Sequence, residues 1–124
     1  MTPASNIEAL VQRQFEAYNA RDLDAMMATY ADTARQFEFP NTLLASGAAQ
    51  IRERFAARFT EPKLHARLLN RIVSGNTVID HEEVTRTFPE GTGRLELVAI
   101  YRVEAGKISQ AWFIQGTKTL DISA

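Results

Sequence analysis

From Ser5 to Ala20 the apolar residues Ile7, Leu10, Val11, Phe15 and Tyr18 recur at three- and four-residue spacing, which gathers them on one face of a helix. Ser5, followed three positions later by Glu8, reads as a capping box at its start. Asp22 caps a second, shorter helix from Leu23 to about Tyr30 that turns Leu23, Met26, Met27 and Tyr30 inward. So short a connection through Arg21 makes the two helices pack as a bent hairpin. From Arg35 to Pro40 the period falls to two, with Phe37 and Phe39 on one side and Gln36 and Glu38 on the other. This predicts a short edge strand, closed by Pro40, whose phenylalanines face the interior. Asn41 to Gly47 reads as loop. Helical spacing returns from Ala48 to Thr60 through Ile51, Phe55 and Phe59, with Arg52, Arg54 and Arg58 outward, and Pro62 ends it.

Everything after Pro62 reads as strand. Leu64 to Val73 leads to a turn at Ser74, Gly75 and Asn76, and Thr77 to Phe88 leads to a turn from Pro89 to Gly93. Arg94 to Glu104 then leads through Ala105 and Gly106 to a last strand, Lys107 to Thr117. Four consecutive strands joined by tight turns make an antiparallel meander. With helices first and a long curled sheet afterwards, the fold class is α+β, the helices covering one sheet face.

Composition narrows the chemistry. The chain has 124 residues, 45% of them hydrophobic, the size of one domain that packs a core without disulfide or metal staples. It contains no cysteine, which removes thiol nucleophiles, zinc-thiolate sites and disulfides together. Fourteen basic side chains against 15 acidic ones leave no basic stripe for a nucleic-acid backbone. No apolar stretch is long enough to span a bilayer, and the N-terminus lacks a signal-peptide pattern, so a cytoplasmic protein with no membrane partner is expected.

The strand from Val78 to Arg86 carries four consecutive ionisable residues, Asp80, His81, Glu82 and Glu83. Alternation puts Val78, Asp80, Glu82, Val84 and Arg86 on one face and Ile79, His81, Glu83 and Thr85 on the other. If the first face is inward, desolvation raises the pKa values of Asp80 and Glu82 and makes either a general acid or base. The alternative is a polar face on which Glu82 pairs with Arg86 or, across a strand, with Arg102. His81 and His65 share no face with a carboxylate pair, so no metal site and no cofactor is expected. Tyr18, Tyr30 and Tyr101 need hydroxyl partners wherever they are buried, and with Gln14 they would orient a ligand carbonyl. In the last strand Ala111, Phe113 and Gln115 oppose Gln110, Trp112 and Ile114, and an exposed Trp112 and Ile114 stripe fits a dimer face.

Four segments carry a family resemblance: VQRQFEAYNARDLDAMMATYADTA from Val11, GAAQIRERF from Gly47, NRIVSGNTVIDHEEV from Asn70 and LVAIYRVEAGKISQAWFIQG from Leu97. They resemble the nuclear transport factor 2-like superfamily, the cone-shaped fold shared by ketosteroid isomerase and the SnoaL-like polyketide cyclases. The resemblance implies a curved antiparallel sheet covered by three helices, an apolar pocket between them, and a homodimer through the outer sheet face. It places Asp80, Glu82 and Val84 toward the pocket. The isomerase's oxyanion hole, a tyrosine and a protonated aspartic acid, falls on Gln14 and Ala99, so both donors are changed. A supporting tyrosine falls on Phe55, and another is kept as Tyr30. The general base falls on Glu38 or on Phe39, depending on whether the following proline is the anchor.

The implied protein binds a small apolar molecule bearing a carbonyl or hydroxyl. Its reaction, if it has one, is proton transfer in isomerisation, cyclisation or dehydration. Glu82, Asp80 and Tyr30 are the catalytic candidates. Gln14, Tyr18, Phe39, Phe55, Val84, Ala99, Tyr101, Phe113 and Gln115 are the ligand-binding ones. The rival is a non-catalytic binding or dimerisation module, since this fold hosts both.

Overall fold

The computed structural model describes residues 4–121. In chain order the elements are α1 (Ala4–Ala20), α2 (Leu23–Met27), β1 (Tyr30–Glu38), β2 (Thr42–Ser46), α3 (Ala48–Arg58), β3 (His65–Ser74), β4 (Thr77–Phe88), β5 (Gly91–Glu104) and β6 (Lys107–Leu120). The strands form one six-stranded curved, unclosed sheet in the order β2-β1-β6-β5-β4-β3. Neighbours run antiparallel except β1 and β6, which are parallel. The expected α+β cone is therefore present.

Helix α1 buries Ile7, Leu10 and Val11 of the expected stripe together with Gln14 and Ala17, leaves Phe15 and Tyr18 half-buried, and packs over β3 and β4. It already includes Ala4, so Ser5 lies inside the helix and its cap lies outside the described residues. Asp22 caps α2 as expected, its Oδ1 accepting from the Ala25 N–H at 3.1 Å. The core joins α1, α2 and α3 to the inner sheet face through Val11, Met26, Ile51 and Ile108, all fully buried. Each contributes about 1.5–3 kcal/mol by leaving water.

The first strand differs from its expectation in three ways. Tyr30 opens β1 rather than ending α2, and β1 is an interior strand because Thr42–Ser46, expected as loop, pairs with it as the edge. Its facing is also reversed: Tyr30, Ala34 and Gln36 are buried. Phe37 instead stacks on Trp112 across the outer face, ring centres 5.9 Å apart. Phe39 lies beyond the strand and is 52% exposed. Hydrogen bonding explains the reversal. Gln36 is fully buried because its amide is satisfied, accepting from Arg54 and donating Nε2–H to the Tyr30 hydroxyl at 3.3 Å.

Strands β4 and β5 pair without a register break from Thr77↔Arg102 to Phe88↔Gly91, so the alternation of β4 is strict. Val78, Asp80, Glu82 and Val84 are all buried. On the opposite face, the registers align Ile72, Ile79, Ile100, Trp112, Phe37 and Leu43 in one row across the whole sheet. No helix among the described residues is long and apolar enough to cross a membrane.

Candidate functional site

Between α1, α3 and the inner sheet face lies a cavity of about 90 Å³. That is less than the roughly 150 Å³ void that admits benzene, so a ring-sized ligand would keep part of its surface at the mouth. The exposed residues Glu38, Leu44 and Gln115 form that mouth. Helix α1 supplies Gln14, Phe15 and Tyr18, and α3 supplies Arg54, Phe55 and Arg58. The sheet supplies Gln36 from β1, then Glu82, Val84 and Arg86 from β4, Leu95, Leu97 and Tyr101 from β5, and Phe113 from β6. Tyr18 meets Phe55 and Phe59 edge-on at 6.3 and 5.7 Å, and Tyr101 meets Phe113 edge-on at 6.5 Å. The aromatic wall is thus self-packed and rigid.

Of the residues named from the sequence, Gln14, Tyr18, Phe55, Glu82, Val84, Tyr101, Phe113 and Gln115 line this cavity. Four do not. Phe39 is outside, for the reason already given. Ala99 is fully buried in the sheet between Asp80 and Phe113, behind the wall. Tyr30 is buried behind Phe55, its hydroxyl held by Gln36. Asp80 is bound on both oxygens by Arg71, Nε–H to Oδ1 at 2.6 Å and an Nη2–H to Oδ2 at 3.0 Å. Bidentate pairing engages both carboxylate oxygens of Asp80, and neither Asp80 nor Tyr30 lines the cavity.

Glu82 is the exception among the charged residues. It is only 6% exposed, and its cross-strand neighbours are Leu68 and Leu97, neither of which can pair with it. Arg86 is taken by Glu61 in a bidentate pair at 2.6 and 3.2 Å, and Arg102 lies on the outer face over the Trp112 ring. Both expected partners are therefore engaged elsewhere. Burial first, and the neighbouring Asp80 carboxylate second, push the Glu82 carboxyl up to about 8, with Arg71 opposing. Burial also raises the Tyr18 hydroxyl against the opposing Arg58 guanidinium. Burial, then the charge of Glu82, raises Tyr101 further.

Sequence reasoning missed the arginines. Arg54 and Arg58 were expected outward, yet they lie three and seven positions after the buried Ile51, on its own helix face. It missed Glu61 as well. Burial would raise that carboxyl, but hydrogen bonds from Arg86 and the Thr87 N–H prevail and hold it below its ordinary value. His81 is on the outer face, with Nε2 2.7 Å from Glu96 Oε2. Among the described residues no group of His, Asp and Glu could hold a metal ion.

A family model described as a SnoaL-like domain matches residues 11–111. The chain belongs to the SnoaL-like family. That places it in the nuclear transport factor 2-like superfamily expected from the sequence. Among solved structures, this SnoaL-like chain is similar to an uncharacterized cystatin-fold protein from Novosphingobium aromaticivorans. The two share 29% identity with a TM-score of 0.80, over 88% of this chain and 97% of that one. It is also similar to a proposed ketosteroid isomerase from Kribbella flavida, at 17% identity and a TM-score of 0.77, over 97% and 84% of the two chains. AclR, a proposed hydroxylase from Streptomyces galilaeus, shares 17% identity with a TM-score of 0.79, over 92% and 81%. Likeness to both an isomerase and a hydroxylase identifies the fold and leaves the reaction to the residues. No curated protein matches the sequence.

Proposed function

We propose that this SnoaL-like protein binds a small hydrophobic molecule bearing a carbonyl or hydroxyl and moves a proton on it without a cofactor, as an isomerase, cyclase or dehydratase. The observation that carries the reading is Glu82, a buried carboxyl in the cavity wall with no ionic partner among the described residues. Near neutral pH such a group is mostly protonated yet close to its titration point, so it gives or takes a proton readily. Glu82 removes a proton from a carbon next to the ligand carbonyl while the Gln14 amide donates to the carbonyl oxygen. The same carboxyl then returns the proton to another carbon, or to a departing hydroxyl. Asp80, fixed by Arg71, serves as a positioning residue that keeps the proton affinity of Glu82 high.

The test is exchange of the α-hydrogens of small cyclic ketones in D2O, followed by proton NMR. Exchange accelerated by the wild type and lost in Glu82→Gln supports the reading, whereas exchange equal in both proteins contradicts it. A non-catalytic binding role is the second reading, favoured by Ala99, which offers no donor where the isomerase pattern has one. It requires bound ketone with no exchange at all. For the outer face we propose a homodimer, supported by the apolar row from Ile72 to Leu43 in which Ile72 is 52% and Leu43 53% exposed. Trp112→Glu is expected to convert it to monomer in light scattering.

A further inference from the structure

The arginines around the cavity are unequally neutralised. On the solvent side of α3, Arg52 is paired with Asp24 at 2.6 Å. Arg86 has both oxygens of Glu61, and Arg58 shares that carboxylate, its Nε 3.6 Å from Oε2. Arg54 has no carboxylate among the described residues, and its one side-chain hydrogen bond goes to the neutral Gln36 amide. It sits one helical turn before Arg58 on the same cavity-facing side, so two like charges are held together there. Burial and the Arg58 charge both work against its ionised form. Glu38 lines the same cavity at its exposed mouth but forms no ion pair with Arg54. Glu82 forms no ion pair with Arg54 either, among the described residues. A half-buried guanidinium that a fold leaves without an anion, aimed into a cavity, is a built receptor for one.

We propose that the substrate is itself an acid, whose carboxylate docks on Arg54 with Arg58 beside it, while its apolar body lies against Phe55, Leu95 and Leu97. This rests on the cavity being the substrate site, and it adds the ligand's charge and orientation. Arg54 becomes the anchor and Glu82 the group that meets the carbon skeleton. Specificity then divides between a charge at one side and an apolar fit at the other. Neutral ketones of the same shape still reach Glu82 and Gln14 but lack the Arg54 contact and bind more weakly.

Benzoate and benzamide, matched in shape and different in charge, test the proposal by titration at low salt, read as NMR shifts of the cavity-lining Gln14 and Tyr101 amides. The wild type is expected to bind benzoate about tenfold or more tighter than benzamide. Arg54→Gln is expected to lose that preference while its benzamide affinity stays within about twofold, and Arg52→Gln to keep it. Equal affinities in the wild type, or a preference that survives Arg54→Gln, overturn the proposal and leave the cavity reading standing. Binding of neither probe overturns both. Should Arg54→Gln fail to fold by circular dichroism, Arg54→Lys, which keeps the charge and loses the fork, is expected to retain a reduced preference. An unchanged preference in that variant assigns no orienting role to the guanidinium and contradicts the proposal.

Discussion

Replacing Glu82 by Gln keeps the size and polarity of the side chain and removes its titration. With the carboxyl at about 8 in the folded chain and 4.5 as its ordinary value, folding becomes less favourable as pH rises between those values. In that window the unfolded chain loses the proton and the folded chain keeps it, so stability falls by about 1.4 kcal/mol per pH unit. Below 4.5 both states are protonated and the penalty is absent. Above about 8 it reaches its full size, an upper bound of about 5 kcal/mol, a large part of the stability of a domain this small. Urea melts of wild type and Glu82→Gln at several pH values from 4.5 to 9 isolate the contribution, because every other group is common to both proteins. The variant is expected to match the wild type within about 1 kcal/mol at the acid end and to be several kcal/mol more stable at the alkaline end. A stability difference that does not change with pH would mean that Glu82 titrates alike in the folded and unfolded chain.

Three further outcomes follow from the same geometry. Asp80→Asn leaves the Arg71 guanidinium, 8% exposed, with only the exposed Glu8 carboxylate at 4.0 Å, and is expected to cost up to about 3 kcal/mol in urea melts while lowering the Glu82 titration point. Gln36→Leu strips hydrogen bonds from Arg54 and Tyr30 at once and is expected to cost about 1–3 kcal/mol, with Arg54 more weakly held in the benzoate titration. A Cβ on Gly93 would lie 2.6 Å from the Thr119 carbonyl oxygen, so Gly93→Ala is expected to loosen the β5–β6 pairing, lower the melting temperature and speed amide exchange at Thr119.

Where periodicity was dense the fold was legible. The helix of α1 and the alternation of β4 were readable because long runs repeat one spacing; the family resemblance, rather than periodicity, turned Gln14, Glu82 and Val84 toward the pocket they line. Strand β2 escaped notice because four of its five residues are exposed, including Leu43 and Leu44. The facing of β1 was misread because two phenylalanines outweigh Gln36 and Glu38 on any hydrophobic scale. The outer face offers Phe37 an aromatic partner, however, and the interior offers Gln36 two hydrogen-bond partners, Arg54 and Tyr30.

The role of Asp80 was readable in principle. A tight turn after Ser74↔Thr77 fixes the hairpin register, and counting back along both strands sets Arg71 opposite Asp80. The Arg86–Glu61 pair was not readable in that way, because it joins β4 to the segment after α3 and depends on how the helix lies over the sheet. The choice between a buried acid and an ion-paired one was therefore settled by tertiary placement. That placement ties Asp80 to Arg71 outside the cavity lining and leaves Glu82 as the buried carboxyl in the cavity wall.

The most direct measurement of the central claim is the titration of the Glu82 side-chain carboxyl by carbon NMR, with Glu82→Gln to assign the signal. The expected midpoint is about 8, set by burial and by the neighbouring Asp80 carboxylate. A midpoint near the ordinary 4.5 would contradict it, leaving a solvated carboxylate where a proton-transfer group is required.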